Sequence, residues 1–261
     1  MIFADTHSHL YLNDFDDDRY KVIEEAVNRG IRYIILPNID STTIEKMRTV
    51  ASEYSRWLYR LIGLHPTSIK EDYKKELDII EEELNKNSNE YYGIGEIGID
   101  LYWDKTYLKE QKEAFLYQLK FAEQYNFPVS IHTRNSFETV IDIIKKAKLN
   151  INGVFHCFQS TIDGAKQAID LGFMIGVGGT ITYKNSKVVE VVENIDLEHI
   201  LLETDAPYLS PVPYRGKRNE EKYLIVIAEK IAAIKNCSIE EVAKITTQNM
   251  LGLFTKINKS S

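Results

Sequence analysis

Cysteine is scarce in this 261-residue chain: Cys157 and Cys237 stand alone and far apart, too few for a disulfide framework. No apolar run approaches the ~20 residues that a membrane-spanning helix needs, so no membrane contact is expected. Residues 1–7 lack the basic segment and long apolar stretch of a secretory signal, which makes the cytoplasm the expected address. Gly/Ser-rich and Pro-rich stretches are missing too, so nothing reads as a linker. One domain over residues 1–255 with a short polar tail over 256–261 is the simplest division. Positive charge is also in short supply, with 32 Lys and Arg against 39 Asp and Glu, a net charge of −7. A protein that coats duplex nucleic acid usually presents a basic face, because phosphate neutralisation dominates such binding. The balance disfavours a wide duplex-binding surface but not a local site where bound cations supply the positive charge.

What the chain does contain is an ordinary share of core-forming residues, 44% apolar, arranged in a recurring pattern. Short apolar runs at 2–4, 33–36, 58–62, 92–96, 129–132, 153–156, 173–177 and 200–203 read as eight strands. Amphipathic stretches at 16–29, 42–54, 73–84, 107–125, 137–147, 162–171 and 188–192 alternate with them, and two more cover 220–234 and 239–251. Strands alternating with helices imply a parallel sheet, and eight such units fit an α/β fold of the TIM-type (β/α)8 barrel class. An open doubly wound sheet is the alternative that periodicity leaves standing. Where the polar residues fall favours the barrel, whose chemistry gathers at the carboxyl ends of the strands.

His7 and His9 end the first run in Asp5-Thr6-His7-Ser8-His9. Side chains at i and i+2 of a strand share a face about 7 Å apart, so two imidazoles there can converge on one ion. Asp5, by the same alternation, is expected beside them as a ligand or a partner of a ligand. Glu96 lies among glycines in Gly93-Ile94-Gly95-Glu96-Ile97-Gly98, where a carboxylate can bridge two metals. His132 and His156 end the fifth and sixth runs, and Asp205 follows the eighth directly. Any one of these alone is more often a satisfied core or rim residue than a ligand. Together they form a pattern: five of the six histidines (His7, His9, His65, His132 and His156) fall where a strand ends, and His199 alone precedes one. Imidazoles and carboxylates favour divalent ions such as zinc, manganese or magnesium.

The segments Asp5-Thr6-His7-Ser8-His9-Leu10, Gly95-Glu96-Ile97-Gly98-Ile99-Asp100, Pro128-Val129-Ser130-Ile131-His132-Thr133-Arg134, His156-Cys157-Phe158, Leu201-Leu202-Glu203-Thr204-Asp205-Ala206-Pro207-Tyr208-Leu209 and Arg215-Gly216-Lys217-Arg218-Asn219-Glu220 run in an order that resembles the TatD family. The resemblance covers residues 5–220. It implies a TIM-type barrel of the metallo-dependent hydrolases, ligation of two divalent ions (Mg, Mn or Zn) by His7, His9, Glu96, His132, His156 and Asp205, and hydrolysis of nucleic-acid phosphodiester bonds, commonly as a DNase. Tyr11 stands where many members have Asp, and Glu221 where a Pro is frequent. Many amidohydrolases carry a carboxylated lysine as the metal bridge where this chain has Glu96.

On that footing Glu96 would bridge one ion held by His7, His9 and Asp205 to another held by His132 and His156, with Asp205 also the general base toward an attacking water. Glu203 is expected to orient a ligand or the water, with pairing to an arginine as the competing role. His65 is placed to donate to a phosphate oxygen, or to make a structural hydrogen bond at the rim. Arg134 suits phosphate binding, a surface salt bridge being the alternative. The cluster Arg215, Lys217 and Arg218 can hold a phosphate before a helix that Asn219 caps, though such runs are often only solvated. Tyr102 and Trp103 are candidates for stacking on a base at a strand end, although aromatics after a strand more often serve lid or core packing. Cys157 reads as a small buried side chain rather than a nucleophile. The expected partner is DNA or another nucleic acid as substrate, with no obligate protein partner evident. A related hydrolase acting on an ester or amide, mis-acylated tRNA editing included, and a barrel that only binds a partner are the rival functions.

Overall fold

A computed structural model describes residues 1–102 and 104–258. Eight parallel strands follow one another around a single sheet in chain order. They are β1 (Phe3–Asp5), β2 (Ile31–Leu36), β3 (Leu58–Ile62), β4 (Tyr91–Asp100), β5 (Val129–Arg134), β6 (Gly153–Phe155), β7 (Phe173–Val177) and β8 (Ile200–Leu202). The helices between them are α1 (Arg19–Asn28), α2 (Ser41–Glu53), α3 (Tyr73–Asn87), α4 (Leu108–Tyr125), α5 (Phe137–Ala147), α6 (Ile162–Asp170) and α7 (Val188–Asn194). Three more close the chain: α8 (Leu224–Lys235), α9 (Ile239–Leu253) and α10 (Thr255–Asn258).

The helices form where spacing and capping agree. In α5, Phe137, Val140, Ile141 and Ile144 are buried at the i, i+3, i+4, i+7 positions of one face. Asp40 opens α2 by accepting the Thr42 N–H, and Ser238 opens α9 by accepting the Glu241 N–H. Gly98 in β4 has a φ of +147°, and a Cβ there would sit 2.0 Å from the His132 carbonyl oxygen. Only glycine permits that close approach, which lets β4 run four residues past Glu96 beside β5.

The eighth strand returns to the first. Thr6 N–H donates to Leu202 O at 2.9 Å, Asp205 N–H to His7 O at 2.8 Å and His9 N–H to Ala206 O at 2.7 Å, which closes the barrel. Asp5 tightens the seam by accepting from Thr204 N–H at 2.9 Å, from the Thr204 hydroxyl at 2.5 Å and from His7 N–H at 3.2 Å. Its side chain thus serves the seam and not the histidine pair, because the strand ends at Asp5 and the alternation does not carry on to His7. Glu221 backs the same seam, fully buried, with the Ser8 hydroxyl donating to it at 2.6 Å.

The core has two parts. Most buried apolar residues lie between sheet and helices. A second cluster joins Ala4, Ile35, Leu61, Val154 and Leu201 of the strands to Phe254 and Ile257. The chain end therefore plugs the barrel. Of the polar tail expected over 256–261, residues 256–258 belong to α10, and residues 259–261 lie outside the described residues. No helix among the described residues is long and apolar enough to cross a membrane.

Two measurements test this account. Ile257→Ala should cost about 2–5 kcal/mol in urea denaturation, as for any core aliphatic; a loss under about 0.5 kcal/mol would return α10 to the status of a tail. Burial, opposed by the Ser8 hydrogen bond, pushes the Glu221 carboxyl up from 4.5 to about 7. The folded chain then holds a proton that the unfolded chain has released, so stability falls as pH rises from the lower value to the higher. Glu221→Gln should remove that loss, gaining on the order of 3 kcal/mol over the parent between pH values of about 5 and 8. A pH-independent difference would show that Glu221 is charged throughout.

Candidate metal centre

Five of the eight strands deliver groups to the same place. His7 and His9 follow β1, Glu96 lies inside β4, His132 inside β5, His156 follows β6, and Asp205 follows β8 in a backbone conformation with φ +59°. Asn38, just past β2, fixes Glu96 from across the mouth: Glu96 N–H donates to Asn38 O at 3.0 Å, and Asn38 N–H to Gly95 O at 2.9 Å. The Asn38 side-chain amide donates to Gly63 O at 2.9 Å, which ties in the end of β3.

Glu96 is the hinge of the arrangement. Its Oε2 lies 3.2 Å from His7 Nε2 and 3.5 Å from His9 Nε2. Those two nitrogens are 3.3 Å apart, and Asp205 Oδ1 is 3.8 Å from the first and 3.7 Å from the second. Its Oε1 faces the other way, 2.8 Å from His132 Nδ1, 3.3 Å from His65 Nε2 and 3.6 Å from His156 Nε2. Three overlapping trios, His7 with His9 and Asp205, His7 with Glu96 and His156, and His65 with Glu96 and His132, each bring their ligand atoms within 4.8 Å of one another, close enough for a bound ion to draw them together. The donor chemistry, imidazole nitrogen and carboxylate oxygen, fits a borderline or hard divalent ion.

The far nitrogens of His7, His132 and His9 are held as well. His7 Nδ1 meets Ser130 Oγ at 3.2 Å, and His132 Nε2 meets Asp100 Oδ2 at 3.0 Å. His9 Nδ1 is 3.1 Å from the Tyr11 hydroxyl oxygen, whose own proton goes to Pro37 O at 2.7 Å. With that proton committed, Tyr11 accepts from His9 Nδ1–H, and the His9 Nε2 lone pair faces the other donors. Tyr11 thus does for His9 what Asp100 does for His132. His65 is built the opposite way. Its Nδ1 accepts the Thr67 N–H at 3.2 Å, so the neutral ring carries its proton on Nε2 and points a donor, not a lone pair, at Glu96.

Burial pushes Glu96 up, yet the imidazoles of His65, His7, His156 and His132 together outweigh it and hold the carboxyl well below its ordinary value. Burial would lower His156, but Glu203, Glu96 and Asp205 raise it to about 10. Burial lowers His132 as well, and its hydrogen bonds to Asp100 and Glu96 reverse the sign. His7 moves well down through burial and the charge of His156. Asp205 is pushed up to about 6 by burial, against the pull of His156 and His9. The cluster redistributes protons among close lone pairs, a task that a bound cation would relieve.

Of the other residues singled out from sequence, Glu203 is fully buried, with Oε1 accepting Cys157 N–H at 2.6 Å and lying 3.2 Å from His156 Nδ1. It pairs with a histidine, not an arginine. Gly176 makes room for it, since a Cβ there would lie 2.5 Å from Glu203 Oε2. Cys157 is buried, and burial raises its thiol well above the usual range. Arg134 stacks on the Tyr102 ring at 3.8 Å from its centroid. Trp103 lies outside the described residues. The basic cluster disperses: Arg215 lies over Tyr183 at 4.6 Å, whereas Arg218 makes a two-pronged contact with Asp18 at 2.8 and 2.7 Å. Asn219 caps no helix; its amide donates to Thr204 O and Tyr208 O, both at 2.7 Å. Asn38, Asp100, Ser130 and Tyr208 escape the sequence reading as parts of the site. Ser130, two positions before His132 in β5, carried the i, i+2 signal that would have placed it.

Comparison with known proteins agrees with this geometry. The family profile described as TatD related DNase matches residues 4–255. An uncharacterized metal-dependent hydrolase of Bacillus subtilis, YabD, is 38% identical over 97% of this chain and 99% of its own. The crystal structure of YjjV, a TatD homologue from Escherichia coli, superposes with a TM-score of 0.91 at 29% identity, covering 97% of this chain and 98% of that one. A TatD family hydrolase from Entamoeba histolytica has the same fold, with a TM-score of 0.84 at 24% identity over 97% of this chain and 98% of its own. A match that spans both sequence and barrel from end to end settles the family: the chain is a TatD-family metal-dependent hydrolase.

Proposed function

We propose that this hydrolase cleaves nucleic-acid phosphodiester bonds, acting as an exonuclease on single-stranded or frayed DNA ends in the cytoplasm. The observation that carries the proposal is the two-sided Glu96 carboxylate, with a separate set of imidazoles at each oxygen. His7, His9, Glu96 and Asp205 would hold one divalent ion, and Glu96, His132 and His156 the other. Bound there, such a pair supplies Lewis-acid charge to both sides of an in-line displacement at phosphorus and acidifies water. The name of the family points to DNA, and the acidic surface favours a strand end over a long duplex tract.

The chain's own residues divide the remaining work. Asp205, beside His7 and His9 at the rim, would take the proton of an attacking water. Glu203 lies behind His156 and Asp100 holds His132, so with an ion bound both rings would turn a lone pair to the side of Glu96. His65 directs its Nε2–H at Glu96 Oε1, orienting the shared carboxylate in place of the phosphate contact expected from sequence. Arg134 and Tyr102, already stacked on each other, stand at the carboxyl end of β4 and β5 as contacts for the strand. Arg215, exposed beside Tyr183, is assigned to more distant phosphates.

End-labelled single-stranded DNA, duplex DNA and a panel of carboxylic esters and amides, each offered with Mg, Mn or Zn, test the proposal. Metal-dependent nucleotide release that falls at least about 100-fold in His132→Ala is the expected result. Ester or amide cleavage without nucleotide release would overturn it, and protein that takes up no divalent ion by titration calorimetry would remove the metal centre altogether. In the same titration Asp100→Asn should weaken metal affinity by roughly 10–100-fold while leaving the melting temperature close to that of the parent. An unchanged affinity would strip Asp100 of its positioning role.

A further inference from the structure

Tyr208 lies beside the histidine–carboxylate cluster with half of its surface open, an unusual state for a large aromatic ring in so tightly built a region. Its ring meets His9 edge-on, the centroids 6.1 Å apart and the planes at 66°. The backbone that carries it is held on several sides. Tyr208 N–H donates to Asp205 O at 2.8 Å, and Asn219 N–H to Pro207 O at 2.9 Å. The fully buried Asn219 amide clasps Thr204 O and Tyr208 O. Farther on, Gly179 packs so closely that a Cβ would lie 2.1 Å from Leu209 O, and the Tyr183 hydroxyl donates to Ser210 O at 3.0 Å. The ring is thus exposed on a backbone held in place, which lowers the ordering cost of an aromatic contact.

The charge of the chain gives this ring a task. With a net charge of −7, affinity for a nucleic-acid strand cannot rest on broad phosphate neutralisation. Stacking of an unpaired base on an aromatic face is the other general source of strand affinity, and it tolerates any sequence. We propose that Tyr208 is the platform on which the base next to the scissile phosphodiester stacks. The inference rests on the phosphodiesterase activity proposed above and adds that the enzyme needs an unpaired base at that position. Tyr102, the stacking candidate from sequence, already has the Arg134 guanidinium 3.8 Å from its centroid, whereas Tyr208 meets its histidine neighbour by an edge.

The test compares kcat/KM on a single-stranded oligodeoxynucleotide and on the same strand carrying a tetrahydrofuran abasic residue at the end being cleaved. The parent enzyme should prefer the base-bearing strand by roughly 5- to 100-fold. That ratio should collapse to unity in Tyr208→Ala and in Tyr208→Leu, which keeps apolar bulk without a π face, and persist in Tyr208→Phe. A parent ratio of unity, or a ratio that survives in both Tyr208→Ala and Tyr208→Leu, overturns the platform while nuclease activity stands. If the parent releases nucleotides from neither strand yet cleaves an ester, the phosphodiesterase assignment fails and the platform falls with it.

Discussion

The site depends on a single carboxylate with two faces. Glu96 presents one oxygen to His7 and His9 and the other to His132, His65 and His156, so no group in the cluster can move without disturbing the rest. A buried carboxylate is expensive unless paired, and here the surrounding imidazoles more than offset the burial. Asn38 fixes its backbone from across the mouth, and Gly98 lets β4 curl past it. Geometry of this kind is assembled by the barrel, whose short strands all end at one rim.

Much of this was legible in the chain itself, because the signals were periodic or chemical. The α5 boundaries follow from four apolar residues at helical spacing, and the eight strands from apolar runs, although β4 and β5 continue past Glu96 and His132 to Asp100 and Arg134. What stayed hidden depends on tertiary neighbours. Asp5 looked like a companion of His7 and His9 by alternation, yet the strand stops at Asp5 and the side chain bonds to Thr204 instead. The proton position on His65 is decided by Thr67, and the fate of Arg218 by Asp18, two hundred positions away. Burial of Ile257 needed the hollow of the barrel to be known, since a short polar end gives no helical period to read.

The positioning layer behind the cluster mixes charged and neutral partners. Asp100 and Glu203 stand behind His132 and His156, while a serine and a tyrosine stand behind His7 and His9. A carboxylate raises the basicity of the imidazole that it touches, whereas a hydroxyl orients the ring with less effect on its charge. The two faces of Glu96 are therefore electrostatically unequal, with the more electron-rich imidazoles on the His132 side.

The seam between the first and last strands ties chemistry to synthesis. His7 and His9 leave the ribosome long before Asp205, and the hydrogen bonds that seat them come from residues 202–206. The plug at Phe254 and Ile257 arrives later still. The seat of His7 and His9 therefore forms only once a segment far along the chain, residues 202–206, has been added.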